Sequence, residues 1–189
     1  MAYESARMES LRGQLLIASP QLQDPNFARA VVLMVEHTDQ GALGVVLNRP
    51  TDKTVADLLS EVGAPDCKCQ RPVHLGGPVP GPLMSVHTLP KLAEVEVIPG
   101  VFLSAKKANL DKLVRRDNGP MKVFLGHSGW GPGQLDREMD EGAWLTSPAT
   151  VEAVFYHGND LWNQVCKQLG DNLWRAMGVR DFPRDPSLN

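Results

Sequence analysis

The chain has 189 residues, 42% of them apolar and 22% charged, a globular composition with length enough to fill one core. Its formal charge of -3 is spread without long single-sign blocks, so nothing in it draws in phosphate backbones or anionic lipid. Neither a membrane nor duplex DNA is therefore expected as a direct partner. The longest apolar run, Ala30 to Val35, falls far short of the ~20 residues of a spanning helix, and Leu15 to Ala18 is too short for a signal-peptide core. Cys67, Cys69 and Cys166 make an odd count without disulfide spacing, so free thiols and a cytoplasmic location are expected.

In chain order, Gln14 to Ser19 reads as a first strand closed by Pro20 and the turn-rich Asp24-Pro25-Asn26. Ala30 to Glu36 and Ala42 to Leu47 flank Thr38-Asp39-Gln40-Gly41 and form a β-hairpin, both arms of which lack clean alternation and so are buried on two faces. After Asn48-Arg49-Pro50, Thr51 or Asp52 is placed to cap a helix with Val55, Leu58, Leu59 and Val62 on one face, ended by Gly63. Ala64 to Pro82 holds five prolines and three glycines, and reads as loop around a short strand at Arg71 to Leu75. Short strands are expected at Leu83 to Thr88, Glu94 to Ile98 and Val101 to Leu103.

Ser104 is a cap candidate for a helix with Leu110, Leu113 and Val114 inward, stopped by Asn118-Gly119-Pro120. Met121 to Leu125 is then a strand that runs into the loop Gly126 to Gln134. Leu135 and Met139 imply a short helix, and Pro148 opens another with Val151, Val154 and Phe155 inward. The last helix is expected at about Asn159 to Leu169. Hairpins first, then helices mixed with isolated strands, make an α+β class and a single domain over residues 1–189, with flexible tails at 1–10 and 180–189.

The glycine-rich run Gly126 to Leu135 invites a phosphate-binding reading, and its residues fail it. A Walker-type loop needs lysine and a hydroxyl where Gln134-Leu135 stand, and the glycines do not give G-x-G-x-x-G. Gly126-His127-Ser128-Gly129-Trp130 misses the hydrolase elbow by its last residue, where tryptophan crowds a turn that needs glycine. Cys67, Cys69 and His74 offer soft ligands but no partner pair, so no metal is expected, and no cofactor motif is present. The basic helix with Lys106, Lys107, Lys112, Arg115 and Arg116 has cations in its last turn, where they complement the helix dipole. Trp144, Trp162 and Trp174 sit in apolar contexts and read as core, whereas Trp130, fenced by glycines, is expected to be half-covered and free to stack on a ligand.

Gly13-Gln14-Leu15-Leu16-Ile17-Ala18-Ser19-Pro20, Asp24-Pro25-Asn26-Phe27, Glu36-His37, Gly41 to Pro50, Gly76-Gly77-Pro78-Val79 and Gly129 to Leu135 together resemble the AlgH/YqgE family of bacterial proteins over about residues 11–170. The resemblance implies an α+β domain with a bifurcated, mainly antiparallel sheet forming a pseudo-barrel with helices outside. Some members carry the label of transcriptional regulator without a recognisable DNA-binding motif. The chain departs from the usual pattern at His127-Ser128, where the family commonly has Tyr-Ala, and at Gly142, where a polar residue is frequent.

The expected function is binding of a small ligand or protein partner in a cleft bordered by glycine-rich loops, with Asp24, Asn26, His37, Asn48, Arg49, Gly76, Gly77, Trp130 and Gln134 as site residues. The alternatives are a transcriptional regulator, acting directly or through a partner, and a hydrolase-type enzyme using His37 with Asp24, or Ser128. Because non-specific DNA affinity comes from clustered cations that release counterions, we expect no binding to duplex DNA at physiological salt. Saturable, salt-sensitive binding in an anisotropy titration would overturn this.

Overall fold

The computed structural model describes residues 9–64, 67–116, 119–158 and 160–176. The expected tail at 180–189, most of that at 1–10, Asn118, Asn159 and the Trp174 side chain lie outside the described residues.

The elements are β1 (Gln14–Ala18), β2 (Val31–Thr38), β3 (Gly41–Val46), β4 (Pro50–Thr54), α1 (Val55–Glu61), β5 (Pro72–Leu75), β6 (Val79–His87), β7 (Val95–Ile98) and β8 (Val101–Ser104). They continue with α2 (Lys107–Arg116), β9 (Met121–Trp130), α3 (Gln134–Asp140), β10 (Trp144–Pro148), α4 (Val151–Val154) and α5 (Leu161–Ala176). All ten strands join one open sheet, in the order β10-β1-β2-β3-β9-β6-β8-β7, with β5 and β4 branching from β9. Every pairing is antiparallel except β5 with β9. The sheet is bifurcated and mainly antiparallel, and does not close into a barrel.

The fork is built at β9. One edge pairs with β6 from Met121 to His127, and the other is shared by β5, along Val123 to Leu125, and β3, along Ser128 to Trp130. Gly126 lies between the two sections at φ +71°, and a Cβ there would stand 2.8 Å from the Val79 carbonyl oxygen. Opposite it, a Cβ on Gly76 would stand 2.3 Å from the Gly126 carbonyl oxygen. Glycine is required because backbone lies directly on backbone. The run expected as a loop from Gly126 is thus the second half of the longest strand, and only Gly131 to Gly133 turn the chain.

The hairpin arms are covered on both faces, as their apolar runs imply. Leu15, Ile17, Val31, Leu33 and Val45 pack with Phe124 and under Val154, Leu161 and Val165 of α4 and α5. Their sequence neighbours Leu16, Ala18, Val32, Met34 and Val46 face the other way, onto Leu135 of α3 and the indoles of Trp130 and Trp144. A third cluster lies under α1 and α2, where Val55, Leu110, Leu113 and Val114 meet Val73, Met121 and Val123.

Several local expectations are corrected. Residues 50–54 form the polar edge strand β4, so α1 begins later and is capped by Thr54, whose hydroxyl accepts from Asp57 N (3.1 Å) while the Asp57 carboxylate accepts from Thr54 N (2.9 Å). Val62 then lies past the helix and is exposed. Ser104 does not cap α2. It is buried in β8, and the Glu94 carboxylate accepts from Ala105 N (3.3 Å) and Lys106 N (2.9 Å) ahead of the helix instead. Pro148 ends β10, an unanticipated strand opposite β1, and α4 is capped by Thr150.

Trp130 also departs from expectation, being 5% exposed. Its Nε1 and that of Trp144 both donate to Glu138 Oε2 at 2.9 Å, while Gln134 Nε2 donates to Glu138 Oε1 at 2.9 Å. The Phe27 ring stacks on Trp130 at 6.0 Å between centroids and meets Trp144 edge-on at 5.3 Å. Cover for Trp130 thus comes from distant segments, which its glycine neighbours cannot supply. Trp130→Ala is expected to cost about 3–5 kcal/mol. Urea titration checks this, and an unchanged midpoint would show that the ring is not a core anchor.

Candidate ligand-binding cleft

Strand parity places an unusual pair of side chains together. Met121 and Val123 of β9 point into the cluster under α1 and α2, so Lys122 and Phe124 point to the opposite face. His74 of β5 is in register with Phe124, and their rings lie 5.6 Å apart. Pro50 of β4 pairs with His74 in turn, and the turn Tyr156 to Gly158 and Leu161 of α5 close the other side. Between these walls is a cleft of about 360 Å³, lined on its polar side by Asn48, His74, Lys122, Tyr156 and His157.

Lys122 is 4% exposed, and its Nζ donates to the Leu47 carbonyl at 3.2 Å. It forms no ion pair with a carboxylate of the described residues. Burial pushes its pKa down to about 8. His74 is buried too, and its Nδ1 has no hydrogen-bond partner among the described residues. Burial first, and then the Lys122 charge, push the His74 pKa down to about 4. A neutral imidazole and an uncompensated ammonium in one cleft are poised to bind, since shifted ionisable groups in a concave site are a functional signature. Another cleft of about 380 Å³ lies between β1 and β10 on one side and α4 and α5 on the other, and no buried ionisable side chain of the described residues lines it.

Among the expected site residues, Asn48 lines the Lys122 cleft, while its amide also braces the chain by accepting from Val31 N (2.9 Å) and donating to the Arg29 carbonyl (2.8 Å). Arg49 donates to the Ala28 carbonyl, and exposed Asp24 accepts from Asn26 N (2.8 Å) in a local turn. Gly76 and Gly77 lie against β9 at the fork. Trp130 and Gln134 meet at Glu138, well away in sequence from β5, and Trp130 borders a shallow depression beside the tip of the β2–β3 hairpin. His37 accepts from Leu11 N (3.1 Å) at Nδ1, and its Nε2 lies 3.4 Å from Asp136 rather than meeting Asp24. Ser128 is fully buried and donates to the Gly76 carbonyl at 3.1 Å.

Lys122 was not singled out in the sequence, and His74 was weighed only as a ligand beside Cys67 and Cys69. The available signal was a lysine inside the apolar run Met121 to Leu125, where a strand buried on both faces has no use for a charge.

Comparison with known proteins matches residues 15–174 to the family profile described as AlgH-like. A UPF0301 protein of Streptomyces coelicolor is 38% identical over 96% of this chain and 97% of its own length. Another from Myxococcus xanthus is 39% identical over 96% of both chains. Among solved structures, the AlgH protein from Pseudomonas aeruginosa in solution superposes with a TM-score of 0.73 at 30% identity, covering 97% of this chain and 100% of that one. A crystal structure of a protein from Corynebacterium diphtheriae gives 0.69 at 27% identity, covering 86% of this chain and 88% of the other. These names carry no activity to transfer, so function rests on the cleft.

An acid-sensitivity follows from His74. Unfolded, it takes up its proton near 6.5, and folded only near 4, so its contribution to stability is present above 6.5 and is lost as pH falls toward 4. The slope reaches about 1.4 kcal/mol per pH unit within that window. In urea titrations, His74→Phe is expected to flatten the decline in stability between these two values, and a variant that declines as steeply as the unmodified protein would refute the assignment.

Proposed function

We propose, for a chain that belongs to the AlgH-like family, that it works as a small-ligand-binding protein whose site is the cleft between β4, β5 and β9 and the turn ahead of α5. The observation that carries this is the uncompensated Lys122 ammonium beside the unpartnered Nδ1 of His74. A buried charge without a partner costs stability, and a protein that keeps one at the wall of a cleft is arranged for a ligand to complete it. Asn48, His74, Lys122 and His157 are the proposed binding set, and Gly76 and Gly77 hold β5 in place from behind.

A protein partner is the second reading. Leu75 and Leu125 stand in register on β5 and β9 with 48% and 41% of their surface exposed, and Val79 of β6 is exposed as well. Because Leu75 directly follows His74 on a strand, it points to the face opposite the cleft. Ligand and partner would therefore meet the two faces of one strand, an arrangement that suits a regulator acting through a partner. Among the described residues no helix is long and apolar enough to cross a membrane. Cys67 and Cys166 are free thiols, which suits the reducing compartment we propose, the cytoplasm.

Lys122→Met separates a binding lysine from a structural one. Folded Lys122 holds its proton only to about 8 against 10.5 when unfolded, so below that window it penalises the fold. The variant should be more stable in urea at neutral pH by about 1–3 kcal/mol, the loss of the bond to Leu47 offsetting part of the gain. It should also lose whichever thermal-shift responses to a metabolite panel the unmodified protein gives. Lower stability would mark Lys122 as structural, and unchanged ligand responses would remove the cleft from function.

A further inference from the structure

Resting on the reading that this cleft is a binding site, we infer that its ligand is a small organic monocarboxylate, with the carboxylate held by Lys122 and an apolar body against Pro50, Pro72 and Leu161. The sign of the charge comes first. Lys122 is a buried cation whose described partner is one neutral carbonyl, that of Leu47, and among the described residues no aspartate or glutamate lines the cleft. The nearest acid in sequence to that wall, Asp160, already accepts from the Tyr156 hydroxyl at 3.1 Å. A ligand carboxylate supplies the missing counter-charge through a charge-assisted hydrogen bond. A metal ion is disfavoured by the same ammonium, which repels it from His74.

The size of the charge comes next. One lysine and no arginine line the cleft, so a di- or triphosphate would bring several negative charges into a buried place with one fixed cation. A single carboxylate balances it. The neighbouring His74 adds no second charge, because burial and then the Lys122 charge both oppose its protonation at neutral pH. Apart from Asn48 and His157, the rest of the lining is proline, leucine, glycine and the tyrosine ring, surface that receives a hydrocarbon or aromatic body. At about 360 Å³ the space suits a ligand of one ring rather than a nucleotide.

The test compares benzoate with its neutral isostere benzamide, and with inorganic phosphate, by calorimetry on the full chain. Benzoate is expected to bind saturably at millimolar concentration, with benzamide about ten- to hundredfold weaker. Lys122→Met should abolish that preference. Equal binding of benzamide would overturn the carboxylate while leaving the cleft a ligand site. Preference for phosphate over benzoate would overturn the apolar body, and failure of all probes to bind would overturn the inference and count against the cleft itself.

A second measurement does not depend on any variant folding. Pairing with a carboxylate restores the Lys122 proton, so near pH 8 benzoate binding should take up about half a proton, read from titrations in buffers of different ionisation enthalpy. The other titratable groups facing this wall are His74 on β5 and Tyr156 and His157 on the turn. Binding without proton uptake would overturn the role of Lys122.

Discussion

Strand β9 has two edges and three partners, and the rest of the molecule is arranged around how that is met. Dividing one edge between β5 and β3 forces two backbones together where the division falls, at Gly76, Gly77 and Gly126. A Cβ on Gly77 would stand 2.4 Å from the backbone of His127, so this junction admits no side chain on either strand. The Ser128 hydroxyl ties the same place by donating to the Gly76 carbonyl, and the Gly76 carbonyl also accepts from Val46 N, drawing β3 into the junction. The Gly76 carbonyl at the fork is thereby satisfied by two donors from the protein itself.

The cleft lies on the branch of the fork. Its lining comes from β4, β5 and β9 on one side and from the turn Tyr156 to Gly158 between α4 and α5 on the other. An ordinary core would fill that space with apolar residues, as Phe124 does two residues along β9 from Lys122. Lys122 instead turns the gap into a polar pocket, and His74 extends it. The cost in stability falls on two residues, while the surrounding clusters carry the fold.

The parts of the fold that were legible were those where one chemical cause sufficed. The β2–β3 hairpin was visible because apolar runs flank a polar turn, and α2 and α3 because their apolar positions follow helical spacing. Illegible parts were those decided by a distant segment. Pro50 to Thr54 has no apolar alternation and becomes a strand because β5 offers an edge to it. Ser104 has the chemistry of a cap but is drawn into β8, and Glu94 caps α2 from another element. The glycines from Gly126 onward read as a fixed loop at a site, whereas Gly126 records close approach of another strand. Of the site, Asn48 was legible, and Lys122 was masked by the regular strand that carries it.

The pairing of β1 with β10 joins residues 14–18 to residues 144–148, and the Trp162 indole donates to the Ala18 carbonyl at 2.8 Å. As the chain leaves the ribosome, the first hairpin therefore emerges long before the strand and helices that cover it. Leu15, Ile17, Val31 and Leu33 stay open to other chains during synthesis, in contacts whose large sequence separation also slows folding. Because its last wall is Leu161, the cleft is completed only once α5 has emerged. A chain cut short before α5 therefore lacks one wall of the cleft and the helix that covers Leu15, Ile17, Val31 and Leu33.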